Sequence, residues 1–329
     1  MTQTQTQLST LYGPVADDMI LVEDLLETTK QVDLAPLKRM LDFALQARGK
    51  RLRPALVLLA GCFGEYNLNK LVPLGAAIEL LHTASLVHDD VVDGAESRRG
   101  RPTSNAVFDN ALTVLLGDYM FANAAEMVTR TGSLRVTRLF ALALMKMTSG
   151  ELDQDAAAFD VGKDIHNYLG RISGKTAALF ANATEGGAIL GGSDEATVEA
   201  LRHYGFAAGM AFQIVDDVLD YTGDEEQLGK PAGSDLREGT ITLPALLFIE
   251  RYPRDNPIRK FLAATTKAQR EARLQEALTA IRTSDVLEDS MAMARDYVRR
   301  ANAAIAHLPE NEAHRCLRGI GEYILARQS

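Results

Sequence analysis

The sequence predicts an all-α protein folded as one large domain. Alanine and leucine are abundant among the 329 residues, and no stretch alternates between apolar and polar side chains as a half-buried strand would. Hydrophobic residues make up 47% of the chain, which is enough for a sizeable core. No linker rich in proline, glycine or serine separates two different halves, so residues 1–329 are expected to form a single domain.

The predicted helices follow one another between clear breaks. Glycine, proline or short polar runs interrupt the helical spacing at Gly64, 94–102, 131–133, 191–194, 223–239 and 253–257. Between them, helices are predicted at 34–47, 54–63, 68–92, 110–129, 135–159, 165–186, 195–221, 243–250, 267–281 and 284–306. Ser193 or Asp194 suits the N-cap of the helix that begins at residue 195.

Composition argues against several classes of partner. The net charge of −9 and the pI of about 5.3 disfavour a nucleic-acid-binding protein and a basic membrane-binding surface. Cys62 and Cys316 lie far apart without metal-ligand spacing, as is typical of thiols in a reducing compartment. The first nine residues are polar, and no uncharged apolar run approaches the roughly 18 residues that span a bilayer. We therefore expect a cytoplasmic protein without an integral membrane segment.

The most informative pattern, Asp-Asp-x-x-Asp, occurs twice, and each copy ends a long apolar stretch. Its carboxylates are Asp89, Asp90, Asp93, Asp216, Asp217 and Asp220. A helix brings positions i and i+4 onto one face, so the first and last aspartate of each copy point the same way. Carboxylates next to buried segments need compensating charge, and two opposed carboxylate faces suit Mg²⁺. The pattern predicts a metal-dependent site for a phosphorylated substrate.

Basic residues accompany the two acidic motifs. They are Lys50 and Arg53 before an apolar helix, Arg98 and Arg99 after the first motif, Lys175, and Lys230 after the second motif. Lysine and arginine bind phosphate through charge-assisted hydrogen bonds. A nucleotide-binding phosphate loop around Gly174-Lys175-Thr176 is rejected, because the position that needs glycine is Leu169 and no strand precedes it.

Two readings of Glu79-x-x-His82 are considered. A di-iron bundle site would need a second Glu-x-x-His, and the sequence has none. His82 remains either a phosphate contact or a core histidine with satisfied hydrogen bonds.

Together these motifs resemble the trans-polyprenyl diphosphate synthases, and the medium- and long-chain members in particular. The motifs that carry the resemblance are Gly49-Lys50-x-x-Arg53-Pro54, the first Asp-Asp-x-x-Asp with Arg98-Arg99-Gly100-x-Pro102, Gly174-Lys175-Thr176, Phe212-Gln213 with the second Asp-Asp-x-x-Asp, and Gly229-Lys230-Pro231. They occur in the family's order from residue 49 to about residue 244. The resemblance implies an all-helical bundle of the isoprenoid synthase type around a deep central cavity, in a homodimer. It also implies Mg²⁺-dependent condensation of isopentenyl diphosphate with an allylic diphosphate.

The resemblance also implies a role for each matching residue. Asp89, Asp93 and Asp216 would coordinate metal, and Asp90, Asp217 and Asp220 would support them. Arg98, Lys175 and Lys230 would hold the allylic diphosphate, whereas Lys50, Arg53, His82 and Arg99 would hold isopentenyl diphosphate. Thr176 and Gln213 would face the reacting carbons.

One departure from the family's pattern is visible. Many short-chain members carry a lysine shortly before a Thr-x-Pro element, and the stretch 239–244 contains none. One peripheral phosphate contact is therefore in doubt.

Helical geometry predicts a product longer than about twenty carbons, in the range of roughly 25 to 40. Ile78, Leu81 and Ser85 descend the same face as Asp89, with Ala84 beside Ser85. Ala84 and Ser85 are small, so the first turn below the metals is predicted to be open to the growing chain. A floor from another helix, supplied by Met145, Met147 or Phe121, would shorten the product.

Three alternatives stay open at this point. The first is a farnesyl or geranylgeranyl diphosphate synthase. The second is a class I terpene cyclase, against which Lys50, Arg53 and the complete second motif argue. The third is a non-catalytic subunit of a heteromeric prenyl synthase, in which eroded aspartate motifs would be expected.

Overall fold

The computed structural model describes residues 11–46, 49–98, 100–156, 158–160, 162, 164–223 and 232–327. Over these residues the chain is almost wholly helical, so the all-α prediction is confirmed. In chain order the helices are α1 (Met19–Thr28), α2 (Ala35–Ala44), α3 (Leu52–Gly61), α4 (Leu68–Val92), α5 (Ser104–Phe108), α6 (Asn110–Thr129), α7 (Leu134–Ala156), α8 (Ile165–Ile172), α9 (Ala178–Leu190), α10 (Glu195–Thr222), α11 (Ser234–Glu238), α12 (Leu243–Arg251), α13 (Pro257–Leu262), α14 (Lys267–Arg282), α15 (Val286–Ile305) and α16 (Glu312–Ala326).

Side-chain caps start the long helices where the sequence changes from polar to apolar. Asp194 accepts a hydrogen bond from the backbone of Thr197 at 2.8 Å, which confirms Asp194 as the N-cap of α10. Asn67 accepts from the backbone of Asn69 at 3.1 Å and caps α4 in the same way. The two helices that carry the aspartate motifs thus have defined starting points.

Helix α9 lies at the centre of the bundle and packs against α3, α4 and α10. Two glycines allow this close approach. A Cβ on Gly187 would come within 2.3 Å of the carbonyl oxygen of Val57 on α3. A Cβ on Gly209 of α10 would come within 2.6 Å of the Cα of Ala177, the residue before α9. Residues just before α9 are therefore brought directly against the second motif's helix.

By length and composition, α4 could cross a membrane. In the folded protein, however, 72% of its apolar window is buried. The apolar character of α4 is therefore that of a core helix, and we attribute it to packing against α3, α6 and α9.

Three parts of the fold differ from the sequence-based expectation. Residues 94–102, predicted as an irregular break, contain a two-stranded antiparallel hairpin of β1 (Ser97–Arg98) and β2 (Arg101–Pro102). The helix predicted at 165–186 is interrupted by a π-helical turn, Ser173–Ala177. Helices α1, α5, α11, α13 and α16 are absent from the sequence-based prediction. Helices α5, α11 and α13 have only five or six residues, too few to show helical spacing, and charged residues interrupt the apolar patterns of α1 and α16.

Candidate active site

Both aspartate motifs lie at the C-terminal ends of long helices. The first copy closes α4, which ends at Val92 with Asp93 as its C-cap, and the second lies in the last two turns of α10. The C-terminus of a helix carries a partial negative charge, so carboxylates are disfavoured there. Both clusters therefore need cations or hydrogen-bond donors close by.

The first motif is balanced by basic side chains. Arg98 Nε, from the β1 strand, donates to Asp90 Oδ1 at 2.7 Å, and Asp90 is buried. Lys175 Nζ lies 3.7 Å from Asp89 Oδ2. Burial raises the pKa of Asp89 to about 6, and the nearby Glu151 adds to this while Lys175 opposes it. The Asp89 carboxylate therefore gains from any further cation that comes near it.

The second motif is held mainly by neutral donors. Asp217 is 3% exposed and accepts hydrogen bonds from Tyr168 Oη at 2.7 Å and from Gln213 Nε2 at 2.8 Å. Asp220 accepts from Ser234 Oγ at 2.9 Å and from the backbone N–H of Asp235 at 3.2 Å. Burial, reinforced by the charge of Asp235, raises the pKa of Asp217 to about 7, although both hydrogen bonds lower it.

Asp216 differs from its two neighbours. Its side chain is 52% exposed, and its Oδ1 lies 3.1 Å from Arg327 Nη2. Asp216, Asp89 and Asp93 are the motif aspartates that are not buried.

Within the described part of the chain, no group of three or more acidic, histidine or cysteine side chains is close enough to hold a metal ion alone. Asp90, Asp217 and Asp220 already have hydrogen-bond partners within the chain. Carboxylate oxygens of Asp89, Asp93 and Asp216 still match Mg²⁺, which takes one or two carboxylates and completes its shell with water and substrate phosphates.

The π-helical turn connects the two motifs. Its Lys175 ammonium also contacts Glu151 of α7, and its Thr176 Oγ1 donates to Gln213 Oε1 at 2.6 Å. Burial lowers the pKa of Lys175, but the carboxylates of Asp89 and Glu151 outweigh it and raise that pKa. Single π turns inside helices are frequent at functional sites. Here the turn places Lys175 beside Asp89 of the first motif and the adjacent Thr176 beside Gln213, just before the second motif.

The segment that carries Lys50 and Arg53, at the start of α3, is anchored by partly buried ion pairs. Its Arg51 has a left-handed backbone conformation, and its guanidinium lies 2.5 Å from Glu23 and 2.8 Å from Glu79. Tyr12 Oη donates to the carbonyl oxygen of Lys50. These contacts fix the start of α3.

Lys50 and Arg53, the two cations predicted in this segment, lie against aromatic rings. The guanidinium of Arg53 lies 5.0 Å from the ring of Phe180, and Lys50 Nζ lies 5.6 Å from the ring of Tyr323. An aromatic face orients a cation without neutralising it. The two rings therefore help to orient the ammonium of Lys50 and the guanidinium of Arg53.

Sequence reasoning missed Glu151, Tyr168, Tyr323 and Arg327. The guanidinium of Arg327 lies 4.1 Å from the ring of Phe212, which itself packs 5.2 Å from the ring of Phe180. Arg327 Nε and Nη1 are buried and have no hydrogen-bond partner among the described residues. None of the four belongs to a motif, so only their positions in the fold bring them to the site.

Two predicted phosphate ligands cannot be placed, since Arg99 and Lys230 lie outside the described residues. His82 is half-buried on α4, and its carbonyl oxygen accepts a hydrogen bond from Ser85 Oγ at 2.8 Å.

The predicted product-length residues lie along the buried side of α4. Ile78, Leu81 and Ala84 are fully buried, whereas Ser85 is half-buried. Of the possible floor residues, Met145 is 64% exposed and so does not provide a floor within its own chain. Met147 is buried, and Phe121 packs edge-on at 5.1 Å from the ring of His88.

Comparison with known proteins gives one consistent family. The family model described as polyprenyl synthetase matches residues 35–281. Heptaprenyl diphosphate synthase component 2 from Bacillus subtilis (strain 168) is 39% identical over 317 residues, covering 96% of this chain and 90% of that protein. Octaprenyl diphosphate synthase from Escherichia coli (strain K12) is 35% identical over 312 residues, covering 95% of this chain and 96% of that protein.

A solved structure shares the whole fold. The polyprenyl synthase from Caulobacter crescentus CB15, complexed with calcium and isoprenyl diphosphate, superposes with a TM-score of 0.92 at 38% identity. The match covers 98% of each chain.

Proposed function

We propose a specific reaction for this chain, which belongs to the polyprenyl synthetase family and is a trans-prenyltransferase. The reaction joins isopentenyl diphosphate to an allylic diphosphate and gives a trans-polyprenyl diphosphate longer than about twenty carbons. One observation carries the proposal: the Lys175-Thr176 turn joins two intact aspartate motifs, through Asp89 on one side and Gln213 on the other.

The proposed chemistry begins when the C–O bond of the allylic diphosphate breaks and the diphosphate leaves with the electron pair. Mg²⁺ held by Asp89, Asp93 and Asp216 would neutralise charge on the diphosphate oxygens. Lys175 and Arg98 would bind the same diphosphate. Magnesium is the proposed ion because the ligands are hard carboxylate oxygens.

The second substrate then attacks the allylic carbocation through its double bond. Lys50, Arg53 and Arg327 would hold the diphosphate of isopentenyl diphosphate, with His82 and Arg99 as further contacts. The Thr176 hydroxyl and the Gln213 amide oxygen would face the cation, which they stabilise without attacking it. A new C–C bond forms, and the proton lost from isopentenyl diphosphate goes to the released diphosphate. Holding both substrates in register supplies much of the rate.

A product of about 25 to 40 carbons is supported by two observations. Ala84 and Ser85 place only small side chains on the face of α4 one turn below Asp89. The relatives named above make heptaprenyl and octaprenyl diphosphates by name, which correspond to seven and eight isoprene units.

The deciding experiment is incubation of the purified chain with labelled isopentenyl diphosphate and a series of allylic primers. Chromatography after dephosphorylation should give linear alcohols longer than about twenty carbons. Products of fifteen or about twenty carbons would instead support a farnesyl or geranylgeranyl diphosphate synthase. Cyclic hydrocarbons would indicate a cyclase, and no product would indicate a non-catalytic subunit.

The assembly proposed for this chain is a homodimer through α6 and α7. Both helices expose large apolar side chains to solvent, notably Leu115 at 63%, Met145 at 64% and Leu152 at 68%. Apolar stripes of this kind are usually covered by another chain. Because the Bacillus subtilis relative is named component 2, a heteromer is the competing assembly. The mass and activity of the purified chain separate the two, and a dimer active alone supports the homodimer.

We also propose that residues 1–329 work as a single domain in the cytoplasm. Buried side chains from Tyr12 to Ile324 belong to one continuous core cluster. Cys62 and Cys316 are free thiols, in keeping with a reducing compartment. Limited proteolysis tests the first point, and fractionation of the source cells tests the second.

A further inference from the structure

A chain of three hydrogen bonds runs beneath the proposed reaction centre and links three buried side chains through the half-buried Gln213. Tyr168 Oη donates to Asp217 Oδ2 at 2.7 Å, and Gln213 Nε2 donates to Asp217 Oδ1 at 2.8 Å. Thr176 Oγ1 then donates to Gln213 Oε1 at 2.6 Å. Tyr168, Asp217 and Thr176 are 2%, 3% and 6% exposed, so water hardly competes for these bonds.

Donor and acceptor chemistry fixes the direction of the bonds at Gln213. Its amide nitrogen can only donate, so it donates to Asp217 Oδ1, and its amide oxygen can only accept. The amide oxygen of Gln213 must then face Thr176, whose hydroxyl is left to donate. Because the hydroxyl proton of Thr176 is donated to Gln213, Thr176 Oγ1 presents only lone pairs to a bound substrate. An oxygen with free lone pairs stabilises an adjacent positive charge, whereas a hydroxyl proton would repel it.

Tyr168 is itself held in place by its helix. Asp164 caps α8 in a reciprocal capping box with Asn167, with bonds of 3.0 and 3.1 Å. The guanidinium of Arg171 lies 5.5 Å from the tyrosine ring. The donor end of the hydrogen-bond chain is therefore rigid.

We propose that Tyr168 is a positioning residue for the prenyl transfer reaction, acting through Asp217 and Gln213 to hold Thr176 as a pure acceptor beside the allylic cation. The proposal rests on the proposed function. In this proposal Asp217 anchors the amide of Gln213, because both carboxylate oxygens of Asp217 already accept hydrogen bonds. Asp216 differs from it, since its side chain is 52% exposed. The competing role for Tyr168 is packing alone, which its ring would perform without the hydroxyl.

The test is Tyr168→Phe, with Tyr204→Phe as the matched control. Tyr204 is fully buried on α10 and donates to the carbonyl oxygen of Leu317 at 2.5 Å, away from the aspartate motifs. Tyr168→Phe should lower kcat about tenfold to a hundredfold, with both diphosphate KM values and the Mg²⁺ half-saturation within about twofold of wild type. Tyr204→Phe should leave kcat within about twofold.

A double variant provides the second measurement. If Tyr168 acts through Thr176, adding Tyr168→Phe to Thr176→Val should cause little further loss of kcat. Additive losses overturn the proposal. So does an active wild type whose Tyr168→Phe and Tyr204→Phe variants have the same kcat. A Tyr168→Phe variant altered mainly in Mg²⁺ half-saturation also overturns it, since Asp217 would then act as a metal ligand.

The failure of the proposed function looks different. A wild-type chain that forms no condensation product with any primer overturns the proposed function and the role of Tyr168 together. An active wild type with an unaffected Tyr168→Phe variant overturns the role of Tyr168 alone.

Discussion

The two Asp-Asp-x-x-Asp motifs have the same spacing and the same place on a long helix, yet their carboxylates have different partners. In the first motif, Asp90 is paired with Arg98 at 2.7 Å and Asp89 faces Lys175 at 3.7 Å. In the second motif, Asp217 and Asp220 accept hydrogen bonds from neutral side chains and a backbone N–H. Asp89 and Asp90 of the first motif thus face cations, whereas Asp217 of the second motif accepts its two hydrogen bonds from neutral side chains.

This difference separates the adaptable part of the site from its fixed part. The long side chain of Lys175 lies 3.7 Å from Asp89 and pairs with Glu151, so it can turn from Asp89 toward an arriving diphosphate. Breaking a buried hydrogen bond leaves an unsatisfied polar group, at a cost of about 1–3 kcal/mol. Asp89, Asp93 and Asp216 are thus suited to exchange partners, whereas the buried Asp90, Asp217 and Asp220 are suited to keep theirs.

The largest expected effect comes from removing the carboxylates that we assign to metal. Asp89→Ala and Asp216→Ala should each lower kcat by about a thousandfold or more, as should excess chelator. Thermal unfolding should change little, because both carboxylates lie at a helix C-terminus where their charge is unfavourable. Steady-state kinetics and a melting curve check both points.

The matched control is Asp194→Asn, at the opposite end of the helix that carries Asp216. Asparagine caps a helix as well as aspartate, so this change removes a carboxylate without loss of structure. It should keep wild-type kcat. Turnover close to wild type in either alanine variant, or in chelator, would remove the metal assignment.

The next effect separates the two basic groups. Lys175→Ala should raise the KM for the allylic diphosphate and lower kcat by roughly a hundredfold, because Lys175 lies beside Asp89. Arg53→Ala should mainly raise the KM for isopentenyl diphosphate, about tenfold or more, because Arg53 lies on the ring of Phe180. The two KM values measured for each variant decide the matter, and equal shifts in both would contradict separate sites.

A third comparison concerns the turn below each motif. Four residues before Asp89 the helix carries Ser85, whereas four residues before Asp216 it carries Phe212. Ser85→Phe would make the two sides alike and should shorten the product to about fifteen or twenty carbons, with turnover retained. Ser85→Ala keeps the position small and should leave the product unchanged. Chromatography of the dephosphorylated products distinguishes them, and the same long product from Ser85→Phe would show that the chain grows elsewhere.

Much of the fold could be predicted because its helices have strong apolar spacing and defined ends. The bounds predicted for α4 and α6 agree with the structure. The π turn at Ser173–Ala177 could not be predicted, since no local pattern marks it; in the fold, Gly209 of α10 packs closely against its last residue, Ala177. The β hairpin was missed because each strand has two residues, too few for alternation.

For the site, the motifs identified the right residues but not their partners. The spacing of the motifs does not show which of the six aspartates are buried, and the neighbouring sequence does not distinguish the exposed Asp216 from the buried Asp217. Their difference comes from Tyr168 on a separate helix and from Arg327 at the other end of the chain. Contacts between residues so distant in sequence depend on tertiary packing, which periodicity does not encode.

The smallest expected effect concerns Arg327, the cation that faces the second motif. Phe212 and Asp216 hold its guanidinium, while Nε and Nη1 are buried with no hydrogen-bond partner within the described residues. Burying a hydrogen-bond donor without an acceptor costs free energy, and binding of an acceptor recovers that cost. A diphosphate oxygen would accept hydrogen bonds from both nitrogens. The guanidinium of Arg53 lies nearby, against the ring of Phe180, which packs on Phe212.

Arg327→Ala should therefore raise the KM for isopentenyl diphosphate about threefold to tenfold, with kcat nearly unchanged. Arg318→Ala, on the exposed side of α16, is the control and should leave both constants as they are. Arg327→Lys should recover part of the loss, because it restores the charge but not the fork of donors. If Arg327 served only to neutralise Asp216, Arg327→Ala would instead change the Mg²⁺ half-saturation and leave the KM for isopentenyl diphosphate alone. The two measurements made on one variant thus decide whether the second motif's cation belongs to the substrate or to the carboxylate.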